Sequence, residues 1–182
     1  MEIGQIVNTI GPDGLTAEAM AASSFRDTVV IFNGPQGCFN YIGAICKAYT
    51  NNDLTDDIDN RVLCLFIEDE DFIFGTRAKL DKALKEMKPI GYKLMVVIDS
   101  PGVSVTGDAK VRLRADLPIP LLHMQNTFET IDYPLSFDYS VEQIMKTVSE
   151  TEDGTRNNTV NLFGCPPSYV GWQQSVNELK SL

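Results

Sequence analysis

The sequence is poor in positive charge. Its 182 residues include 15 Lys and Arg against 25 Asp and Glu, which gives a formal net charge of -10. Binding to nucleic-acid phosphates requires clustered Lys and Arg, and no basic stretch occurs anywhere in the chain. We therefore expect no nucleic-acid partner.

Long apolar runs are also missing. No run approaches the roughly 20 apolar residues that a membrane-spanning helix needs, so we expect no membrane partner. The four cysteines are irregularly spaced and include no Cys-x-x-Cys pair, unlike the cysteines of a disulfide framework. These features predict a reduced, cytoplasmic protein.

What the chain does contain is an alternation of short β-branched runs and longer amphipathic segments. Several runs are almost wholly apolar, which is typical of strands buried on both faces of a parallel sheet. We predict an α/β fold in one domain over residues 1–182, a doubly wound, mostly parallel sheet flanked by helices. The predicted strands are Val29–Asn33, Arg61–Ile67, Lys93–Asp99, Pro120–Gln125 and Thr159–Phe163, and the predicted helices are Thr16–Phe25, Phe39–Tyr49, Thr76–Met87, Asp108–Ala115, Val141–Glu150 and Gly171–Leu182.

The turn after the first predicted strand is the most informative one. It reads Gly34-Pro35-Gln36-Gly37-Cys38 and opens a helix-like segment, and ligands of parallel sheets lie at the carboxyl ends of strands. Glycines let the backbone pass close to a bulky ligand, and a helix N-terminus favours the anionic form of sulfur. The turn therefore predicts that Cys38 is presented as a thiolate. The alternative is an ordinary turn with a small, buried cysteine.

Five motifs near the ends of predicted strands occur in one order along the chain. Together they resemble the nitrogenase component 1 superfamily, from about residue 10 to the end. That family contains the molybdenum–iron protein subunits, their cofactor-assembly scaffolds and the light-independent protochlorophyllide reductases. The resemblance implies a nitrogenase-like Rossmann-type domain, the first of three in a subunit, so we expect a truncated chain. The motifs are Gly34-Pro35-Gln36-Gly37-Cys38, Asp71-Phe72-Ile73-Phe74-Gly75-Thr76, Asp99-Ser100-Pro101, Thr106-Gly107-Asp108 and Val160-Asn161-Leu162-Phe163-Gly164.

The resemblance also implies an oxidoreductase subunit. Family members pass low-potential electrons through an iron–sulfur cluster that lies between two subunits, in a homo- or heterodimer, and an ATP-dependent iron protein donates the electrons. The first domain supplies three cysteines to the cluster, and Cys38 matches the one in Gly-Pro-x-Gly-Cys, which makes it the implied metal ligand. The implied cofactor-binding residues are Gly34, Pro35, Gly37, Cys38 and Ser100.

Two of the three family cysteines are absent. The corresponding positions fall at Gly11-Pro12-Asp13 and at Ser100-Pro101. Three accounts remain open: Ser100 and Asp13 act as oxygen ligands, a partner subunit supplies most ligands, or this chain has lost the cluster. The last account gives the alternative function, a non-catalytic binding or assembly module. A generic nucleotide-binding domain is less favoured, because no phosphate-binding glycine motif follows any predicted strand.

The remaining reactive residues have structural interpretations. We expect Cys46 to pack in the core and Cys64 to be a buried, inert strand residue. Cys165 lies in a turn and is the second thiol to test. His123 is expected to be a core or strand-end residue. The acidic segment Glu68–Asp71 binds a cation or forms a solvated turn in which its last residue acts as a cap.

Overall fold

The computed structural model describes residues 13–25, 27–49, 61–87, 91–106, 117–125, 132–149 and 177–178. Helices and strands alternate along most of this part of the chain. In order, the elements are α1 (Gly14–Ser23), β1 (Thr28–Gly34), α2 (Gln36–Tyr49), β2 (Val62–Phe66), α3 (Asp69–Phe74), α4 (Arg77–Glu86), β3 (Leu94–Asp99), α5 (Pro101–Val105), β4 (Leu121–Gln125) and α6 (Tyr133–Val148).

The four strands form one parallel sheet in the order β2-β1-β3-β4. Val30 in β1 lies opposite Val62 in β2 on one side and Val96 in β3 on the other. The chain adds β2 on one side of β1 and then adds β3 and β4 on the other side. The order in which strands are added therefore reverses between β1 and β3. Ligands of such sheets bind in the crevice at the carboxyl ends of the two strands where this reversal occurs. The predicted doubly wound, Rossmann-like α/β fold is confirmed.

The alternation of side chains along β1 and β3 produces two apolar layers. Both strands are buried along their whole length, and successive side chains point to opposite faces of the sheet. One face packs against α1, α2 and α6, and the other packs against α4. The core residues of the first face include Leu15, Val30, Phe32, Ile42, Val96, Ile98 and Ile144, and those of the second are Val29, Ile31, Leu80, Leu84, Met95 and Val97.

The first four predicted strands are confirmed, with ends that differ by one residue at most. The predicted helices Thr16–Phe25, Phe39–Tyr49 and Thr76–Met87 correspond to α1, α2 and α4. The predicted strand Thr159–Phe163 and the predicted helix Asp108–Ala115 lie outside the described residues. Of the predicted helix Gly171–Leu182, only residues 177–178 are described, and both are helical.

Three helices differ from the sequence prediction. The short helices α3 and α5 fall in segments predicted as turns, because five or six residues are too few to show a helical repeat of apolar positions. The predicted capping role of Asp71 is confirmed, since its Oδ2 accepts a hydrogen bond from the backbone N–H of Glu68 at 2.8 Å. Helix α6 begins at Tyr133 rather than at Val141, because Asp132 caps it with an acceptor 3.1 Å from the N–H of Leu135.

Within the described ranges, no helix has the length and apolar character needed to cross a membrane.

Candidate functional site

The turns after β1 and β3 approach each other closely at the crevice. The N–H of Ser100 donates to the carbonyl oxygen of Asn33 at 2.9 Å. A Cβ atom on Gly34 would lie 2.6 Å from Cε1 of Phe32 and 2.7 Å from Cβ of Ser100, which is closer than real Cβ contacts. The expected close approach at Gly34 therefore occurs within the chain itself. Gly37 differs, because no described atom lies within 4 Å of the position of its Cβ.

Cys38 lies in the first turn of α2, where the N–H of Phe39 donates to the carbonyl oxygen of Pro35 at 3.2 Å. Its side chain is half-buried and packs against the core layer beneath α2. Burial raises the pKa of the Cys38 thiol, and the negative charge of Asp13 raises it further, while a backbone hydrogen bond acts in the opposite direction. Burial and the charge of Asp13 therefore act against the expected thiolate.

A second thiol lies close to the first. Cys64, in β2, is half-buried rather than fully buried, and its Sγ is 3.8 Å from the carbonyl oxygen of Gly34. Burial and the charge of Cys38 raise the pKa of the Cys64 thiol to about 11, against a smaller opposing effect of Lys79. The sequence did not indicate this proximity, because 26 positions separate the two cysteines. One lies at the start of the crossover helix α2, and the other lies in the strand β2 to which that helix leads.

The two candidate oxygen ligands, Asp13 and Ser100, differ in whether their side-chain oxygen atoms already accept hydrogen bonds. Asp13 caps α1, and its Oδ1 accepts from the N–H of Thr16 at 2.9 Å and from the hydroxyl of Thr16 at 2.8 Å. Ser100 is 1% exposed, and its hydroxyl has no hydrogen-bond partner among the described residues. In that part of the chain, no three His, Cys, Asp or Glu side chains come together as a metal site. Cys165 and the side chain of Cys46 lie outside the described part.

The opposite face of the same crevice carries a polar network. Nδ2 of Asn33 donates to Oδ1 of Asp99 at 2.8 Å and to the hydroxyl of Thr76 at 3.2 Å. Nε2 of His123 lies 2.6 Å from Oδ2 of Asp99. Asn33, Asp99 and Thr76 are each 1% exposed. His123 lies in a strand as predicted, but the network was missed, although Asn33 and Asp99 are conspicuous as polar residues that end apolar strands.

Large apolar side chains are exposed on α2, β2 and α3. Ile73 and Phe74 are 76% and 84% exposed, while Phe72 lies against Gly102. Lys79 fixes α3 to β2, because its ammonium lies 2.9 Å from Oδ2 of Asp71 and also donates to the carbonyl oxygen of Phe66. Contiguous exposed apolar residues mark interaction surfaces. We name the three consecutive residues Phe72, Ile73 and Phe74 the α3 apolar surface.

Comparison with protein-family models identifies the family of the chain. A family model described as Nitrogenase component 1 type Oxidoreductase matches residues 14–182. No curated protein matches the chain. The family match covers every described element, from α1 to the helical residues 177–178.

Gly34→Ala is expected to lower the free energy of unfolding by about 1–3 kcal/mol, because the added methyl group overlaps the ring of Phe32 and Cβ of Ser100. Gly37→Ala is the matched control, since its Cβ meets open space and alanine favours a helix. Urea unfolding of both variants measures the difference. Equal destabilisation by the two substitutions would contradict the crowding at Gly34.

Both thiols are expected to react more slowly than free cysteine at neutral pH, because the thiolate is the reactive form and burial raises the pKa of each. Asp13→Asn should speed alkylation of Cys38, since it removes a negative charge that raises the Cys38 pKa, while asparagine still caps α1. Peptide mapping after alkylation with iodoacetamide measures each site. Asp138→Asn, on the exposed side of α6, is the control, and an unchanged Cys38 rate in Asp13→Asn would contradict the assignment.

Proposed function

Because the chain belongs to the nitrogenase component 1 type oxidoreductase family, we propose that it acts as a component 1-like subunit, or as its first domain, in low-potential electron transfer. The observation that carries this proposal is the geometry of the turn before Cys38, whose shape is set by the crowding of Gly34 against Ser100. The sequence resemblance matches Cys38 to a cluster ligand of the family. An exposed apolar surface lies on neighbouring elements, so the turn is suited to a site shared with a partner.

The donors of this chain fit part of an iron–sulfur site and not a complete one. Such clusters are held by about four thiolate-type ligands. Cys38 is the one described thiol at a family ligand position, and Cys64 lies within a strand and packs against the core. The unpartnered hydroxyl of Ser100 adds one oxygen donor next to Gly34. A cluster here therefore requires ligands from a partner subunit.

When bound, a cluster would supply one-electron chemistry at low potential. This chain's residues would hold it and shield it. Cys38 would give up its proton on binding, because metals take the thiolate, and this cost is raised by the burial that raises the Cys38 pKa. Phe39, whose ring meets that of Phe66 edge-on at 6.5 Å, would exclude water from the turn.

We further propose that the α3 apolar surface contacts the partner subunit, in a homo- or heterodimer, and that an ATP-dependent iron protein delivers the electrons. The family match supports this choice of partners, and the net charge of -10 does not favour nucleic acid. We also propose a cytoplasmic location, because the four irregularly spaced cysteines do not resemble a disulfide framework.

The second candidate function is a non-catalytic binding or assembly module that keeps the fold and has lost the cluster. Two observations favour it. Burial raises the pKa of the Cys38 thiol, which opposes metal binding, and the described residues bring no three metal-ligating side chains together. Such a module would use the α3 apolar surface without any redox centre.

Iron content decides between these two functions. The chain, purified without oxygen after co-expression with its partner subunit, is expected to contain stoichiometric iron and sulfide, with an EPR signal on reduction. Cys38→Ala should lose most of this iron, whereas the matched variant Cys64→Ala should retain it, because Cys64 packs within β2. A stable complex of the unmodified chain without iron would support the assembly module instead.

The interface is tested separately. Phe74→Ser is expected to weaken association with the partner by about tenfold or more, because removal of a large apolar anchor from an interface costs on the order of 1–2 kcal/mol. The folded chain should keep its stability, since Phe74 is 84% exposed. Leu135→Ser, 70% exposed on α6, is the matched control. Sedimentation velocity measures both, and equal affinity in the two variants would place the interface elsewhere.

A further inference from the structure

Helix α3 is a short segment with little support of its own. It has 6 residues, none of which is buried, and an isolated helix of this length is unstable in water. It ends at Gly75, whose φ of 85° is a backbone conformation that other residues rarely adopt. The position of α3 therefore depends on the contacts that hold it against its neighbours.

Lys79, from α4, holds the first turn of α3. Its Nζ lies 2.9 Å from Oδ2 of Asp71 and 3.8 Å from Oε2 of Glu68, and it donates to the carbonyl oxygen of Phe66 at the end of β2. The Lys79 side chain is 34% exposed, so water competes for the ammonium group and the ion pairs stabilise the arrangement only modestly. Lys79 is therefore an attachment that can be broken without unfolding the sheet.

Phe72 makes the contact between α3 and the turn after β3. A Cβ atom on Gly102, in α5, would lie 3.2 Å from Cε1 of Phe72 and 3.7 Å from Oγ of Ser100. The ring and the hydroxyl group thus approach the same point, which is open because residue 102 has no side chain. The ring of Phe72 is therefore one of the groups that cover Ser100.

The hydroxyl group of Ser100 is covered but not paired. Ser100 is 1% exposed, and its Oγ has no hydrogen-bond partner among the described residues. A buried hydroxyl group without a partner destabilises the arrangement that buries it. Movement of Phe72 away from Gly102 would let water or a ligand pair with this oxygen, which offsets the contacts that α3 loses.

We propose that α3 is a movable segment that controls access to the hydroxyl group of Ser100. In the closed arrangement, which is that of this structure, Lys79 holds the first turn of α3 and Phe72 covers the hydroxyl group. In the open arrangement the ion pair between Lys79 and Asp71 is broken, Phe72 leaves Gly102, and the Ser100 oxygen can bind a ligand. This movement is a property of the chain itself and does not depend on the proposed electron transfer.

A thiol at residue 100 reports the opening. In Ser100→Cys, alkylation of the introduced thiol by iodoacetamide should be slower than that of free cysteine, and its rate should follow the population of the open arrangement. Lys79→Met in the same background is expected to raise this rate by about tenfold, because α3 loses hydrogen bonds to a charged group. The lost positive charge alone would slow the reaction, since it disfavours the thiolate. Peptide mapping of iron-free protein measures the rate.

Lys82→Met is the matched control. Lys82 lies on the same helix, its side chain is 76% exposed, and its ion-pair partner is Glu86 within α4. The substitution removes the same charge without touching α3, so the introduced thiol should react at an unchanged rate.

Hydrogen exchange gives the same comparison with Ser100 in place. The N–H of Gly75 donates to the carbonyl oxygen of Asp71 at 2.9 Å, and it should exchange about tenfold faster in Lys79→Met than in Lys82→Met. Amides of β1 and β3 should exchange equally in the two variants, because the movement is local.

Three results would overturn the proposal. The first is an introduced thiol in Ser100→Cys that reacts as fast as free cysteine, because the hydroxyl group would then not be covered. The second is equal alkylation and equal exchange in Lys79→Met and Lys82→Met. The third is an acceleration in Lys79→Met that Cys38 and the amides of β3 share, because it would show global unfolding instead of a movement of α3.

Discussion

The contact of Gly34 with Phe32 and Ser100 is the constraint on which the rest of the structure depends. A Cβ atom at residue 34 would lie 2.6 Å from the ring of Phe32 and 2.7 Å from Cβ of Ser100. Only glycine fits, so the turn after β1 and the turn after β3 can lie side by side. This close approach brings the first turn of α2 to the crevice, and with it Cys38. It also leaves Asn33 and Asp99 directly opposite each other.

Strand alternation then divides the crevice into two chemically different sides. On the α2 side are two half-buried thiols and a buried hydroxyl, in surroundings that disfavour charge on sulfur. On the α4 side are an amide, a carboxylate and an imidazole joined by hydrogen bonds. The two sets lie on opposite faces of the sheet, so the strands separate the thiols from the polar network.

The sequence was sufficient for the sheet because Val29–Asn33 and Lys93–Asp99 are nearly continuous apolar runs, and burial on both faces requires such runs. It was insufficient where the outcome depends on contacts distant in sequence. The bond between Asp99 and His123 spans 24 positions and two strands, and the protonation of Cys38 depends on how much water the packed core excludes. The prediction of a thiolate rested on the position of Cys38 at a helix N-terminus, and that position contains no information on burial.

The central claim is that Cys38 contributes a ligand to a centre shared with a partner subunit. The most direct measurement is anomalous diffraction at the iron edge, on crystals of the complex prepared without oxygen. The account predicts iron density at bonding distance from Sγ of Cys38, between the two subunits. Crystals of the complex that contain iron elsewhere, or none, with the Cys38 side chain still packed on the core beneath α2, would contradict it.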